Sequence, residues 1–263
     1  MKKIGIIGVG YIGSTIIEAV VEGMIDDVII QAVYDIDKAV IERTQQKYPN
    51  FRIMKNITDF NDCDIVVECA VQEVVAEIFD SIVENEKYFI PMSIGAFITI
   101  DSLYLKYLEL DSLKKARILL SSGAIGGFDC IENIKSERIK SSKLQTIKPN
   151  KVFRSYKYLK ENKIKLSETS PVTIFVGNAK KAATYFPESV NVAARLALST
   201  LGPENTKVEI IADPAASKNI HIIEIESEVG NYRFQFENNP SPTNPKTSWL
   251  AALAAINTIK QVK

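Results

Sequence analysis

The run Gly8-Val9-Gly10-Tyr11-Ile12-Gly13 constrains this chain more than any other feature. It follows a short β-branched run, Lys3–Ile7, and opens a stretch in which Ile12, Ile16, Ile17 and Val20 recur on one helical face. In a strand–turn–helix context the first glycine makes the tight turn, the second lets a pyrophosphate approach the backbone, and the third lets the helix pack closely on the sheet. The helix N-terminus then offers N–H groups and partial positive charge to phosphates. Gly8, Gly10, Tyr11, Ile12 and Gly13 are therefore candidate cofactor-binding residues. The next β-branched run, Val28–Tyr34, ends at Asp35, 22 residues after Gly13. An acid at that spacing accepts hydrogen bonds from adenosine ribose hydroxyls. It also repels a 2′-phosphate, which favours NAD over NADP, while Lys38 and Arg43 nearby soften the preference. A glycine turn without a ligand, beside an Asp that caps a turn, is the alternative reading.

Further strand-like runs fall at Asp64–Cys69, Tyr88–Met92 and Ala116–Leu120, and a helical face recurs at Val74, Val75, Ile78, Phe79 and Ile82. Strands alternating with helices predict a Rossmann-type parallel sheet, covered on both faces, over residues 1–122. From about residue 123 the pattern changes. Leu144–Lys148, Thr173–Gly177, Lys207–Ile211, Asn219–Glu226 and Asn231–Glu237 read as strands, with one substantial helix between them, Val190–Leu201. Few crossover helices predict a mostly antiparallel sheet, hence a second, α+β domain over residues 123–240 and an α/β chain overall. The bend Asn239-Pro240-Ser241-Pro242-Thr243-Asn244-Pro245 suits neither a central strand nor a helix interior. After it, Lys246–Ile259 reads as a helix, and residues 241–263 are expected to return to the first domain.

Composition narrows the partners. Lys plus Arg number 32 and Asp plus Glu number 32, so no net charge points to nucleic acid or an anionic membrane. Near-neutrality weakly favours self-association. The three cysteines, Cys63, Cys69 and Cys130, form no C-x-x-C pair. With a single histidine they make no usual zinc site, and no metal is expected. The first residues run into the glycine motif rather than a cleavage site, and no stretch approaches the roughly 20 apolar residues of a membrane span. A soluble, cytoplasmic protein is expected.

The lone histidine, His221, lies in the strand-like run Asn219–Glu226. At period two it shares a face with Ile223 and Ile225, with Glu224 and Glu226 opposite, so it points toward an apolar side or a cleft lined by one. An imidazole near its ordinary pKa exchanges protons around neutral pH; a satisfied structural histidine is the competing reading. The segment Ser122–Gly127 joins the last nucleotide-domain strand to the next element. It reads as a ligand-bordering loop, as expected beyond the carboxyl ends of parallel strands, or as an interdomain hinge, and the two roles can coexist. Asn191, at the start of an apolar helical run, is either a helix cap or an amide donor and acceptor for a ligand. The stretch Tyr156-Lys157-Tyr158 reads as a packed edge rather than a nucleic-acid platform.

Ser122-Gly123-Ala124-Ile125-Gly126-Gly127-Phe128-Asp129 resembles the S-G-A-I-G-G-[LF]-D segment of L-aspartate dehydrogenases. The segments 186–194 (FPESVNVAA), 212–214 (ADP), 219–221 (NIH) and 239–248 (NPSPTNPKTS) agree with that family as well, so the resemblance spans nearly the whole chain. It implies oxidation of L-aspartate to iminoaspartate with transfer of hydride to NAD, or NADP. The imine then hydrolyses to oxaloacetate and ammonia, or feeds quinolinate and NAD biosynthesis. It implies His221 as the catalytic histidine, Ala124 and Asn191 as nicotinamide contacts, and a homodimer joined through the second domain's sheet. A dicarboxylate substrate calls for cations. Lys148 and Lys246 are the candidates, with Thr247 and Ser248 as hydroxyl partners, although a lysine is usually a solvated charge and Lys246 and Thr247 also suit a helix start. The chain departs from the family in Val71, where Ser is frequent, and in Ile147-Lys148-Pro149-Asn150, where Arg-Lys-Pro-Pro is frequent. Two other readings remain: a homoserine- or dihydrodipicolinate-type dehydrogenase, and a non-catalytic NAD(H)-sensing regulator.

Overall fold

A computed structural model describes residues 1–134, 136–187, 191–241 and 248–262. The chain forms two compact units, Met1–Ser121 with Ala252–Lys263, and Ser122–Ala251. The first holds β1 (Lys2–Ile7), α1 (Tyr11–Val21), β2 (Val28–Tyr34), α2 (Lys38–Lys47), β3 (Arg52–Ile53), β4 (Ile65–Glu68), α3 (Gln72–Glu84), β5 (Tyr88–Pro91), α4 (Ala96–Thr99), α5 (Asp101–Glu109) and α6 (Ser112–Ala116). The second holds α7 (Phe128–Asn133), β6 (Ile139–Pro149), α8 (Asn150–Phe153), α9 (Lys157–Glu161), β7 (Val172–Asn178), α10 (Ala179–Tyr185), α11 (Asn191–Ser199), β8 (Lys207–Asp213), β9 (Asn219–Ser227) and β10 (Asn231–Asn238). The last helix, α12 (Trp249–Lys260), begins in the second unit and ends in the first.

The first sheet has the order β3-β2-β1-β4-β5, and every pairing is parallel. β1 lies at its centre, with Ile6 opposite Val33 on one side and Val67 on the other. All four residues of β4 are buried, as expected of a parallel strand covered on both faces. Ile16 and Ile17 of α1 and Ala255, Ile256 and Ile259 of α12 join the cluster around Ile4, Ile6, Val33 and Val67.

Three local expectations change. Ala116–Leu120 was expected as a strand, but Ala116 closes α6, which Asp111 starts by accepting from the Leu113 and Lys114 N–H groups. Only a single parallel bridge, Phe89 to Ile118, extends the sheet there. β3 was not foreseen, because two residues carry no period; the Arg52 guanidinium fixes it to Asp59 and Asp62. The boundary expected at 240/241 lies instead inside α12, between Ala251 and Ala252; within the second unit Pro240 and Ser248 form an antiparallel bridge.

The second sheet runs β10-β9-β6-β8-β7, with three antiparallel pairings and one parallel one, β6 with β8. The single helix expected over 190–201 corresponds to α11, which begins at Asn191; residue 190 lies outside the described residues. Four shorter helices, α7 to α10, were not anticipated because each is only 4–7 residues long. Tyr156 and Tyr158 pack against the fully buried Phe186 at centroid distances of 5.2 and 5.1 Å while Lys157 between them is exposed, so this stretch is a packed edge. The helix expected from Lys246 is described from Trp249. Lys246 and Thr247 lie outside the described residues.

Val71 precedes α3 with φ −143° and ψ 164°, the extended geometry of an N-cap, yet bonds no first-turn N–H. Val71→Ser supplies that acceptor at a position already 53% exposed, so little apolar burial is lost. The expected gain is about 1 kcal/mol, or a Tm rise of about 2–4 °C. An unchanged thermal midpoint would show that the hydroxyl does not cap α3.

Candidate active site

The glycine turn has the geometry its three roles require. Gly8 has φ +92°, and a Cβ there would lie 2.7 Å from the Cys69 carbonyl carbon. A Cβ on Gly10 would meet nothing within 4 Å, which leaves room for a ligand at that backbone. A Cβ on Gly13 would lie 2.1 Å from the Gly8 carbonyl oxygen, so α1 packs directly on the turn. Gly10 caps α1 without a side chain, and the first turn carries no acid, so nothing of the helix itself competes with phosphate for Tyr11, Ile12 and Gly13. Asp35 holds this turn: its Oδ2 accepts from Val9 N–H at 2.7 Å and its Oδ1 from Asp37 N–H at 2.9 Å. Each oxygen keeps a second lone pair for a ribose hydroxyl. These residues fit a dinucleotide.

In the second unit the face of the sheet that bears His221 is graded from polar to apolar. Register aligns Ile210, Thr146, His221 and Phe236 across β8, β6, β9 and β10, and the next row inward is Val208, Leu144, Ile223 and Phe234. Toward the sheet end, Lys148 pairs with Ala212 and Asn238 with Asn219. Lys148 is 3% exposed and His221 1%. The alternation expected on β9 holds, with Ile223 and Ile225 buried and Glu224 and Glu226 exposed. Thr146 Oγ1 and His221 Nδ1 share a buried hydrogen bond of 3.0 Å, in which either side is able to donate. The expectation of an ordinary imidazole pKa is corrected. Burial first, and the positive charge of Lys148 second, push His221 down to about 3, so at neutral pH the ring is an uncharged proton acceptor.

The loop around Ala124 lies over the same sheet. The Asn238 amide donates to the Ala124 carbonyl at 2.7 Å. A Cβ on Gly126 would lie 3.4 Å from the Phe236 ring, and one on Gly127, at φ +78°, 2.8 Å from Phe234. Arg195 secures the following helix: its guanidinium stacks 3.9 Å from the Phe128 ring centroid and bonds Glu132 at 2.7 Å. Ser248 is 4% exposed, and its hydroxyl oxygen lies 3.4 Å from Asn219 Nδ2. The structure thus brings Ala124, Lys148, His221 and Ser248 together within one unit. Asn191 opens α11, which packs on α7, α10 and β6.

Three residues escaped the sequence reading. Thr146 lies two positions before Lys148, so strand period alone puts both on one face. Asn238 and Glu68 carry no sequence signal, because their partners are 114 and 25 residues away.

Comparison with known proteins agrees with this architecture. A model of the C-terminal domain of aspartate dehydrogenase matches residues 129–262, and one of the NAD-binding domain of homoserine dehydrogenase matches residues 8–121. L-Aspartate dehydrogenase of Methanococcoides burtonii is 36% identical over 100% of this chain and 97% of its own. That of Nitrosopumilus maritimus is 37% identical over 99% and 96%. The crystal structure of aspartate dehydrogenase from Thermotoga maritima superposes with a TM-score of 0.72 at 28% identity, covering 98% of this chain and 94% of that one. A scyllo-inositol dehydrogenase from Lactobacillus casei, solved with NAD(H), shares only the fold, with a TM-score of 0.53 at 14% identity over 99% of this chain and 87% of that one. With full-length relatives above one-third identity and a family model covering its second half, this chain belongs to the L-aspartate dehydrogenase family.

Proposed function

We propose that the chain oxidises L-aspartate to iminoaspartate with NAD as the preferred acceptor and NADP as the weaker one. The imine goes on to oxaloacetate and ammonia, or to quinolinate synthesis. The observation that carries this reading is the buried His221 between the Thr146 hydroxyl and the Lys148 charge, at the polar end of an otherwise apolar sheet. Family membership gives that cluster its substrate.

The bound nicotinamide would accept hydride from the substrate Cα. Gly8, Gly10, Tyr11, Ile12 and Gly13 would hold its pyrophosphate and Asp35 its ribose, whose carboxylate disfavours a 2′-phosphate. Ala124 and Asn191 are the proposed nicotinamide contacts. Lys148 would hold one substrate carboxylate, with Ser248 as a hydroxyl partner; Lys246 and Thr247, outside the described residues, complete the proposed substrate set. With Nδ1 engaged by Thr146, Nε2 of His221 is the nitrogen that takes the proton of the substrate ammonium. A carboxylate beside Lys148 offsets the charge that depresses the imidazole, so the bound dicarboxylate itself raises the basicity of His221.

The homodimer reading is supported by the sheet face opposite His221, where Ile147, Ile211, Ile220 and Ile222 gather within a rim of Lys143, Glu209, Glu224 and Arg233. A cytoplasmic site suits the three free thiols of Cys63, Cys69 and Cys130. Among the described residues no helix is long and apolar enough to cross a membrane.

A spectrophotometric screen of L-aspartate, L-homoserine, and oxaloacetate with ammonia, against NAD(H) and NADP(H), tests the assignment. Aspartate turnover with higher kcat/KM for NAD is expected. Turnover of homoserine without aspartate would reject it, and tight NADH binding without any turnover would favour a regulator.

A further inference from the structure

The strand order of the first sheet reverses between β1 and β4, and ligands of open parallel sheets bind beyond the carboxyl ends of the strands at such a switch point. Asp35 lies at the β2 side, so the adenosine half belongs there. The nicotinamide half therefore extends over the ends of β4 and β5. Glu68 is the last residue of β4, level with Ile7, one residue before the glycine turn.

Glu68 is 0% exposed. Its Oε1 accepts from Ala70 N–H at 2.7 Å and from the Ser93 hydroxyl at 2.9 Å, and its Oε2 accepts from Ser93 N–H at 2.9 Å. The carboxyl thus ties the segment after β4 to the segment after β5. The same β4 segment forms the wall against Gly8, whose added Cβ would touch the Cys69 and Ala70 backbone at 2.7 and 2.9 Å. Among the described residues no cation lies within ion-pair distance of Glu68. A buried carboxylate held only by neutral donors retains an unbalanced field. The nicotinamide ring is cationic when oxidised and neutral when reduced.

We propose that Glu68 sets the oxidation-state preference of the cofactor crevice, its buried, uncompensated carboxylate favouring the oxidised ring while it holds the two loops that border that ring. The inference rests on the nicotinamide-cofactor reading of the first unit. A preference for the oxidised form suits an enzyme that begins by removing hydride. It is also a specificity that loop-holding alone would not create, because a purely structural tie supports both forms equally.

Burial pushes Glu68 up to about 7, against its hydrogen bonds from Ser93 and Ala70. The groups facing it are neutral: the Ser93 hydroxyl and N–H, the Ala70 N–H, the Met92 N–H on its backbone carbonyl, and the Cys69 thiol. That thiol is itself held well above its ordinary value, by burial first and Glu68 second, so it stays protonated. The field is therefore present above about pH 7 and is lost as the pH falls through it.

Calorimetric titration of NAD+ and NADH into the wild type, Glu68→Gln and Ser93→Ala at pH 6 and pH 8 tests this without any turnover. In the wild type the ratio of oxidised to reduced affinity should fall between pH 8 and pH 6. In Glu68→Gln it should be about tenfold lower than wild type at pH 8 and flat with pH. Ser93→Ala keeps the charge but removes one donor, so its pH midpoint should move up. Equal weakening of both forms in Glu68→Gln, or a wild-type ratio that does not change with pH, would overturn the proposal. If Glu68→Gln does not fold, the wild-type pH series decides alone. Failure of the wild type to bind either form would instead reject the cofactor reading itself.

Discussion

His221→Ala is expected to lower kcat for L-aspartate at least ~100-fold while leaving NADH affinity within about twofold, since a positioned acid–base group typically contributes 10²–10⁴. The split between turnover and cofactor affinity follows from chain position. His221 belongs to the sheet of the second unit, whereas the glycine turn and Asp35 belong to the first. Truncating a buried ring also removes packing, so the control is Thr146→Val, which keeps the volume and deletes the hydroxyl that holds Nδ1. It should lower kcat by a smaller factor. Because His221 is the only histidine of the chain, its ring nitrogens give a nitrogen spectrum that needs no assignment. That spectrum should show a neutral ring down to low pH in the unliganded protein, in line with a value near 3. Addition of succinate, a dicarboxylate with no amine to oxidise, should raise the value. The same depression has a sign in stability. The unfolded imidazole takes a proton below about 6.5 and the folded one does not, so this contribution is full above that pH. It is lost progressively as the pH falls toward 3, by up to about 1.4 kcal/mol per unit. Turnover in His221→Ala within threefold of wild type would remove His221 from the chemistry.

Gly13→Ala should abolish measurable dinucleotide binding and lower Tm by several degrees. On propensity alone, alanine in a helix is the better residue by about 1 kcal/mol. Here the steric effect wins, because the added methyl would lie 2.1 Å from the Gly8 carbonyl oxygen, a backbone atom that cannot swing aside. Helix α1 has to back away from the turn, and overpacking of this kind typically costs 1–3 kcal/mol. The N–H groups aimed at phosphate move with it. Gly10→Ala is the contrast, since its methyl would meet nothing within 4 Å of the protein. It should leave Tm unchanged and weaken binding only through the ligand. If Gly13→Ala keeps wild-type Tm and affinity, close helix–turn packing is not what the third glycine provides.

Much of the nucleotide-binding unit was legible because its signals are local. Turn glycines and the spacing to Asp35 lie within the β1-α1-β2 unit, and β1, β2, β4 and β5 are each written as one contiguous apolar, β-branched run. The errors there came from short elements. Asp111 diverted part of an expected strand into α6, and the two residues of β3 are held by an arginine rather than by a pattern. In the second unit, strand period put His221, Ile223 and Ile225 on one face. It did not reveal that Lys148 is buried, because a lysine in a strand gives no sign of whether its end reaches water. Nor did it reveal the depressed imidazole, which depends first on the burial of His221 itself and second on the charge of Lys148 from a different strand.

The sequence by itself determined the strand–helix alternation that opens the first unit, the main strands of the second, the face on which the lone imidazole lies and, through several ordered motifs, the family. These are properties of neighbours along the chain, where φ/ψ preference and side-chain period act directly. Only the tertiary structure decided which distant groups share a buried space: Thr146 and Lys148 with His221, Asn238 with Ala124, Glu68 with Ser93. The physical reason is that protonation and hydrogen bonding there are set by desolvation and by contacts across 25 to 114 residues of sequence, which no local pattern encodes.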